Sequence, residues 1–219
     1  MGFELVGRSW DVEQFREFVK TQDLSWAKGI TLHHTGYPDL AMRLNGLTPQ
    51  HIRNIASYYR DTKGWSAGPH LFVDQDSVLG MSSLERRGVH AISFNRTHIG
   101  IEILGNYNAG NDDSKSGRGA ECWEMGLKAT AILIRESHLQ VSSVNFHRDC
   151  SRTRKTCPGS TVAKDTVLEK IQGILNTLDG DPDPTDDSDN DRADMNLEEI
   201  VSVVQSIEWQ LEKLKNLID

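Results

Sequence analysis

The sequence predicts an α/β domain built on a single mixed β-sheet flanked by helices, followed by an acidic linker and a C-terminal heptad helix. Three observations lead there. Short apolar segments bounded by glycine-rich turns alternate with longer stretches of helical periodicity through residues 1–178. The 37% hydrophobic share rises to about 45% once the 18 glycines are added, an ordinary fraction for a protein with a buried core. From Asp179 onward the composition changes abruptly.

The elements follow in order. Residues 11–20 form a short helix, and Ile30 to His34 a strand. Thr48 is an N-cap with Pro49 at the first helical position, and Ile52, Ile55, Ala56 and Tyr59 then line one apolar face. Leu71 to Asp74 reads as a second strand and Ile99 to Leu104 as a third. Residues 120–138 form a helix, Val144 to His147 a strand, and 161–176 a closing helix.

Residues 179–194 carry eight aspartates and one arginine, with no aromatic and no aliphatic larger than Ala193. Such a segment cannot bury enough apolar surface to offset its ordering entropy, so it is expected to be an extended linker. Asp187, Asp189, Asp191 and Glu198 match positions of a calcium loop, but Arg192 stands where that loop turns on glycine. Beyond it, Leu197, Val204, Leu211 and Ile218 recur every seven residues, with Ile200, Ile207 and Leu214 between them. This a/d seam over residues 195–219 predicts a helix that associates with other copies, so a homo-oligomer is expected.

Composition also excludes. The longest apolar runs have four residues, as in Ala131 to Ile134, so no integral membrane segment is expected. The start Met1-Gly2-Phe3-Glu4 lacks the basic and apolar regions of a signal peptide, and three cysteines make no disulfide framework. A soluble chain made in a reducing compartment is the expectation. Of the net charge of −8, the linker carries −7 and the final 25 residues −3, which leaves the main domain at +2. The acidity therefore describes the tail. No nucleic-acid partner is expected.

Three segments end an apolar strand on an ionisable or metal-capable group. They are Gly29 to Gly36 with His33 and His34, His98 to Tyr107 with Glu102, and Asn145 to Gly159 with His147, Cys150, Lys155 and Cys157. A catalytic zinc takes three ligands from His, Cys and carboxylate and leaves one position for water. His33, His147 and Cys157 supply two imidazoles and a thiolate if their strand ends meet. From composition alone, buried metal-free histidines and a structural cysteine are the plainer reading. Glu102 alternates with Ile101 and Ile103, so it shares a strand face with Gly100. A carboxylate there suits a cleft, where desolvation raises its pKa toward that of a general base, while an edge-strand glutamate facing water is the alternative. Lys155, two residues before Cys157, is placed to stabilise developing negative charge, or is a solvated loop charge.

In this order along one chain, the segments resemble the zinc-dependent N-acetylmuramoyl-L-alanine amidases of the type 2 family. That family also includes phage endolysins and peptidoglycan recognition proteins. The resemblance spans roughly residues 25–175. It rests on the strand ending at His33, the strand His98-Ile99-Gly100-Ile101-Glu102, and the ten-residue step from His147 to Lys155-Thr156-Cys157-Pro158-Gly159. It implies a Zn2+ held by His33, His147 and Cys157, with Glu102 as general base and Lys155 as oxyanion stabiliser. It further implies a bacterial peptidoglycan groove lined by Trp65, His70, His90 and Asn95. Some phage relatives place a catalytic tyrosine where this chain has Pro69, so the chain resembles the glutamate-using branch. His34 is expected to pack behind the ligands, Cys150 to be a free thiol and Cys122 to pack within a helix. A phage endolysin, waiting in the host cytoplasm until a holin releases it, is the expected role. A non-catalytic muropeptide-binding module and a cytosolic recycling amidase are the alternatives.

Overall fold

The computed structural model describes residues 3–178. The expected linker (179–194) and heptad helix (195–219), and the residues of the partial calcium-loop match, lie outside the described residues. Six strands form one sheet in the order β1-β4-β3-β5-β2-β6. These are β1 (Ser9–Trp10), β2 (Gly29–His34), β3 (Leu71–Val73), β4 (Val78–Gly80), β5 (His98–Ile103) and β6 (Val144–Phe146). β3, β5, β2 and β6 run parallel, while β4 and β1 are added antiparallel. The mixed sheet expected from the sequence is therefore present.

Helix α1 (Val12–Lys20) starts on Asp11, whose carboxylate accepts from the Gln14 N–H at 2.8 Å, and it buries Phe15 and Val19. Helix α2 (Pro49–Ser57) starts on Thr48 as expected and widens into a π turn at Tyr58–Thr62. Helix α3 (Gly117–Ser137) begins ahead of the expected boundary, because Gly117 and Gly119 hide its first turn from a propensity reading. Helix α4 (Lys164–Leu178) starts three residues late.

The two faces of the sheet differ. Ile99, Ile101 and Ile103 are fully buried, and α3 comes so close that a Cβ at Gly126 would lie 2.7 Å from Ile103 Cδ1. α1 and α4 pack against α3. The other face carries His33 beside Glu102, neighbours in the parallel register of β2 and β5. It opens into a cleft bordered by α2, its π turn and the loop after β6. Among the described residues, no helix is long and apolar enough to cross a membrane.

Two short strands escaped the sequence reading. β1 has two residues, too few for alternation to register, and β4 has three. Asp74 builds the β3–β4 turn by accepting from the Asp76 and Ser77 N–H groups at 3.0 and 2.8 Å.

Candidate metal centre and cleft

His33 ends β2, and His147 opens a 3₁₀ turn directly after β6, the strand that pairs with β2. Cys157 lies ten residues further on, and Arg148 brings it back. The Arg148 N–H donates to the Cys157 carbonyl at 2.9 Å, and its guanidinium donates to the carbonyls of Gly159 and Val162 at 2.6 and 2.5 Å. Gly159 then passes so near Tyr107 that a Cβ would lie 2.3 Å from its carbonyl oxygen, at a φ of 137°. Only glycine fits there.

The three predicted ligands converge. One donor atom from each of His33, His147 and Cys157 lies within 4.8 Å of the others. His33 Nδ1 is 3.7 Å from Cys157 Sγ, and the rings of His33 and His147 are 4.6 Å apart. A tetrahedral zinc with ordinary bond lengths holds nitrogen and sulfur about 3.6 Å apart, so the trio fits such an ion. Burial pulls His147 down to about 4, with Lys155 adding to the effect, and burial takes His33 well below its usual value, so both imidazoles are neutral and able to act as ligands. Burial pushes the Cys157 thiol up, with Glu102 adding, while the His34 N–H, 3.4 Å from Sγ, pulls it down. A dication is what would hold that sulfur as thiolate.

Glu102 stands beside the trio, with Oε1 at 3.7 Å from His33 Nδ1 and its side chain 16% exposed. Burial pushes its carboxyl up to about 8, against the pull of Lys155. The exposed Lys155 lines the same cleft, and its charge is felt by Glu102, His33, His147 and Cys157.

The four residues expected to line a groove divide. Trp65 does so, 39% exposed and 5.0 Å from the Tyr59 ring. Asn95 and His90 also reach the cleft, but each is engaged internally. Asn95 Oδ1 accepts from the N–H groups of His90 and Ala91 at 2.8 Å, and the two His90 nitrogens face His33 and the His98 carbonyl. His70 is a correction. It is fully buried against Trp26, with Nδ1 accepting from the Gly100 N–H at 2.9 Å and Nε2 on the Arg86 carbonyl at 2.9 Å. It holds strands together, and it is absent from the groove.

Gly100, on the strand face of Glu102, leaves room for the His90 ring. His34 packs through Nδ1, which accepts from the Tyr107 N–H at 3.1 Å, and it also borders the cleft. All three cysteines are unpaired; Cys150 sits against Ser93 Oγ at 3.1 Å and Cys122 is buried in α3.

The cleft measures about 1000 Å³. Sequence reasoning missed Tyr37, Arg43, Tyr58 and Arg152 in its walls. Tyr37 and Tyr58 are 78% and 48% exposed, a signal that periodicity cannot carry from loops and a π turn. Exposed Tyr37, Tyr58 and Arg152 and half-buried Arg43 thus surround the trio of metal-capable donors in one open cleft.

The comparisons place this architecture. The chain belongs to the N-acetylmuramoyl-L-alanine amidase family Amidase_2, whose sequence model matches residues 23–160. It is a family of peptidoglycan hydrolases and binders. The chain is 28% identical over 148 residues to peptidoglycan-recognition protein SC2 of Drosophila simulans, covering 65% of this chain and 74% of that protein. In fold it is similar to Apis mellifera PGRP-SA (TM-score 0.51, 18% identity, 67% of this chain and 82% of that one). It is likewise similar to wild-type Drosophila PGRP-LB (TM-score 0.50, 15% identity, 67% and 79%).

Proposed function

We propose that this chain hydrolyses the amide between N-acetylmuramic acid and L-alanine in bacterial peptidoglycan, using a zinc held by His33, His147 and Cys157. The observation that carries the reading is the desolvated carboxyl of Glu102 beside three converging donor atoms. A module that only bound muropeptides would have no use for a carboxyl so placed.

A zinc bound there supplies Lewis-acid polarisation and a water of lowered pKa. The rest falls to side chains. Glu102 sits with its carboxyl within reach of that locus and takes the proton of the attacking water. Its raised pKa makes the ionised carboxylate a stronger acceptor than an ordinary glutamate and the protonated carboxyl a donor still able to return the proton to the departing L-alanine amine. Lys155 offers an ammonium to the negative charge that develops on the former carbonyl oxygen. Trp65, Tyr58 and Tyr37 give the glycan and peptide apolar faces to lie against, and Arg43 and Arg152 suit their carboxylates. The role that accompanies this reading is that of a phage endolysin, kept in the host cytoplasm until a holin admits it to the wall. Its support is the sequence after the domain, where an acidic linker and a heptad seam would gather several copies and supply avidity for the wall.

The test is digestion of purified peptidoglycan with and without a chelator, then with zinc restored. Stem peptides with a free L-alanine amino terminus, lost with the chelator and regained with zinc, are the expected products. Digestion that yields none of them contradicts the reading.

A further inference from the structure

We propose that His90 is a positioning residue that holds His33 in the tautomer whose Nδ1 is free to bind the ion. The inference rests on the reading of His33 as a metal ligand.

The chain of hydrogen bonds starts at the backbone. His90 Nε2 lies 3.0 Å from the His98 carbonyl oxygen, which can only accept, so Nε2 carries the hydrogen. A neutral imidazole protonated at Nε2 has a bare Nδ1. That Nδ1 is 3.0 Å from His33 Nε2, so His33 is the donor of the second bond. His33, neutral and protonated at Nε2, then presents an unprotonated Nδ1. This is the atom that faces Cys157 Sγ and Glu102 Oε1, each at 3.7 Å. A carbonyl two rings away thus decides which nitrogen of His33 is a ligand. Metal-bound histidines commonly donate their second N–H to a carboxylate, carbonyl or water; here an imidazole takes that place.

The surroundings are built to keep His90 there. A Cβ at Gly100 would lie 2.5 Å from His90 Cγ, so the strand is pared back where the ring rests. Asn95 fixes the backbone of His90 and Ala91 from the other side. The rings of His33 and His90 meet nearly perpendicular, at 88° with centroids 5.2 Å apart, with His33 Nε2 3.0 Å from His90 Nδ1.

The experiment uses the full chain. Long-range nitrogen–proton NMR of the imidazoles in metal-free wild type is expected to show His33 protonated at Nε2 and bare at Nδ1. Chelator competition then gives the zinc affinity of wild type, His90→Phe and His90→Gln. His90→Phe fills the space without the two bonds and is expected to lower affinity about 10–100-fold. His90→Gln keeps one donor and one acceptor and is expected to recover most of the loss. Three results overturn the proposal: His33 protonated at Nδ1, wild-type affinity in His90→Phe, or His90→Gln as weak as His90→Phe. If His90→Phe fails to fold, the wild-type tautomer decides. A wild-type chain that binds no zinc overturns the metal reading of His33 itself, a failure distinct from zinc binding that ignores His90.

Discussion

Glu102 carries the sharpest residue-level consequence, because its chemistry and its cost to the fold have one cause. Unfolded, its carboxyl titrates near 4.5; folded, near 8. Between those values the native state binds the extra proton, so its contribution favours folding at low pH and is lost as pH rises. Glu102→Gln should therefore raise the stability of the chelated protein at pH 8, by on the order of 2 kcal/mol, while abolishing hydrolysis. Denaturant unfolding and product analysis check the two halves. Cys157→Ala should abolish hydrolysis and zinc binding together, whereas Glu102→Gln should keep its zinc; elemental analysis separates them. Lys155→Ala should cost about 10²–10³ in rate with zinc content unchanged. The ligands and Glu102 were legible because each sits in a short motif that strand alternation orients. The tasks of His70 and His90 were not, because they depend on the carbonyls of Arg86 and His98, which no local pattern reveals.

At the scale of elements, two devices bring the site together. The parallel register of β2 and β5 sets His33 against Glu102, and the Arg148 clasp folds the 150–157 loop so that Cys157 meets His147. The helices and the strands β2, β3, β5 and β6 could be read from caps and periodicity, with Thr48-Pro49 the clearest case. The clasp could not, since an arginine bonded to backbone carbonyls resembles any loop charge. Gly159 makes the loop testable. Gly159→Ala puts a methyl 2.3 Å from the Tyr107 carbonyl at a left-handed φ and should destabilise by about 2 kcal/mol or more. Thermal unfolding of the metal-free protein measures this, and an unchanged midpoint would mean the loop is held elsewhere.

Across the whole molecule, the histidines behind the cleft make the fold sensitive to acid. His70 and His147 are drawn down to about 4 and His90 to about 3, each chiefly by burial. The unfolded chain protonates them near 6.5, so between those values it binds more protons than the folded one. Stability is then fully present above about 6.5 and should fall as pH drops toward 4, by about 1.4 kcal/mol per pH unit for each proton. Unfolding free energies of the chelated protein at pH 7 and pH 5 test this sign. For residues 195–219, association of several copies is a proposal. Light scattering on the full chain and on residues 1–178 decides it, and equal oligomer numbers refute it. The central claim is narrower: two imidazoles and one thiolate on a single zinc. Zinc K-edge X-ray absorption of the full chain should find one sulfur at about 2.3 Å and two nitrogens at about 2.0–2.1 Å, with an oxygen completing the coordination. A spectrum without sulfur, or a chain that retains no zinc, would contradict it.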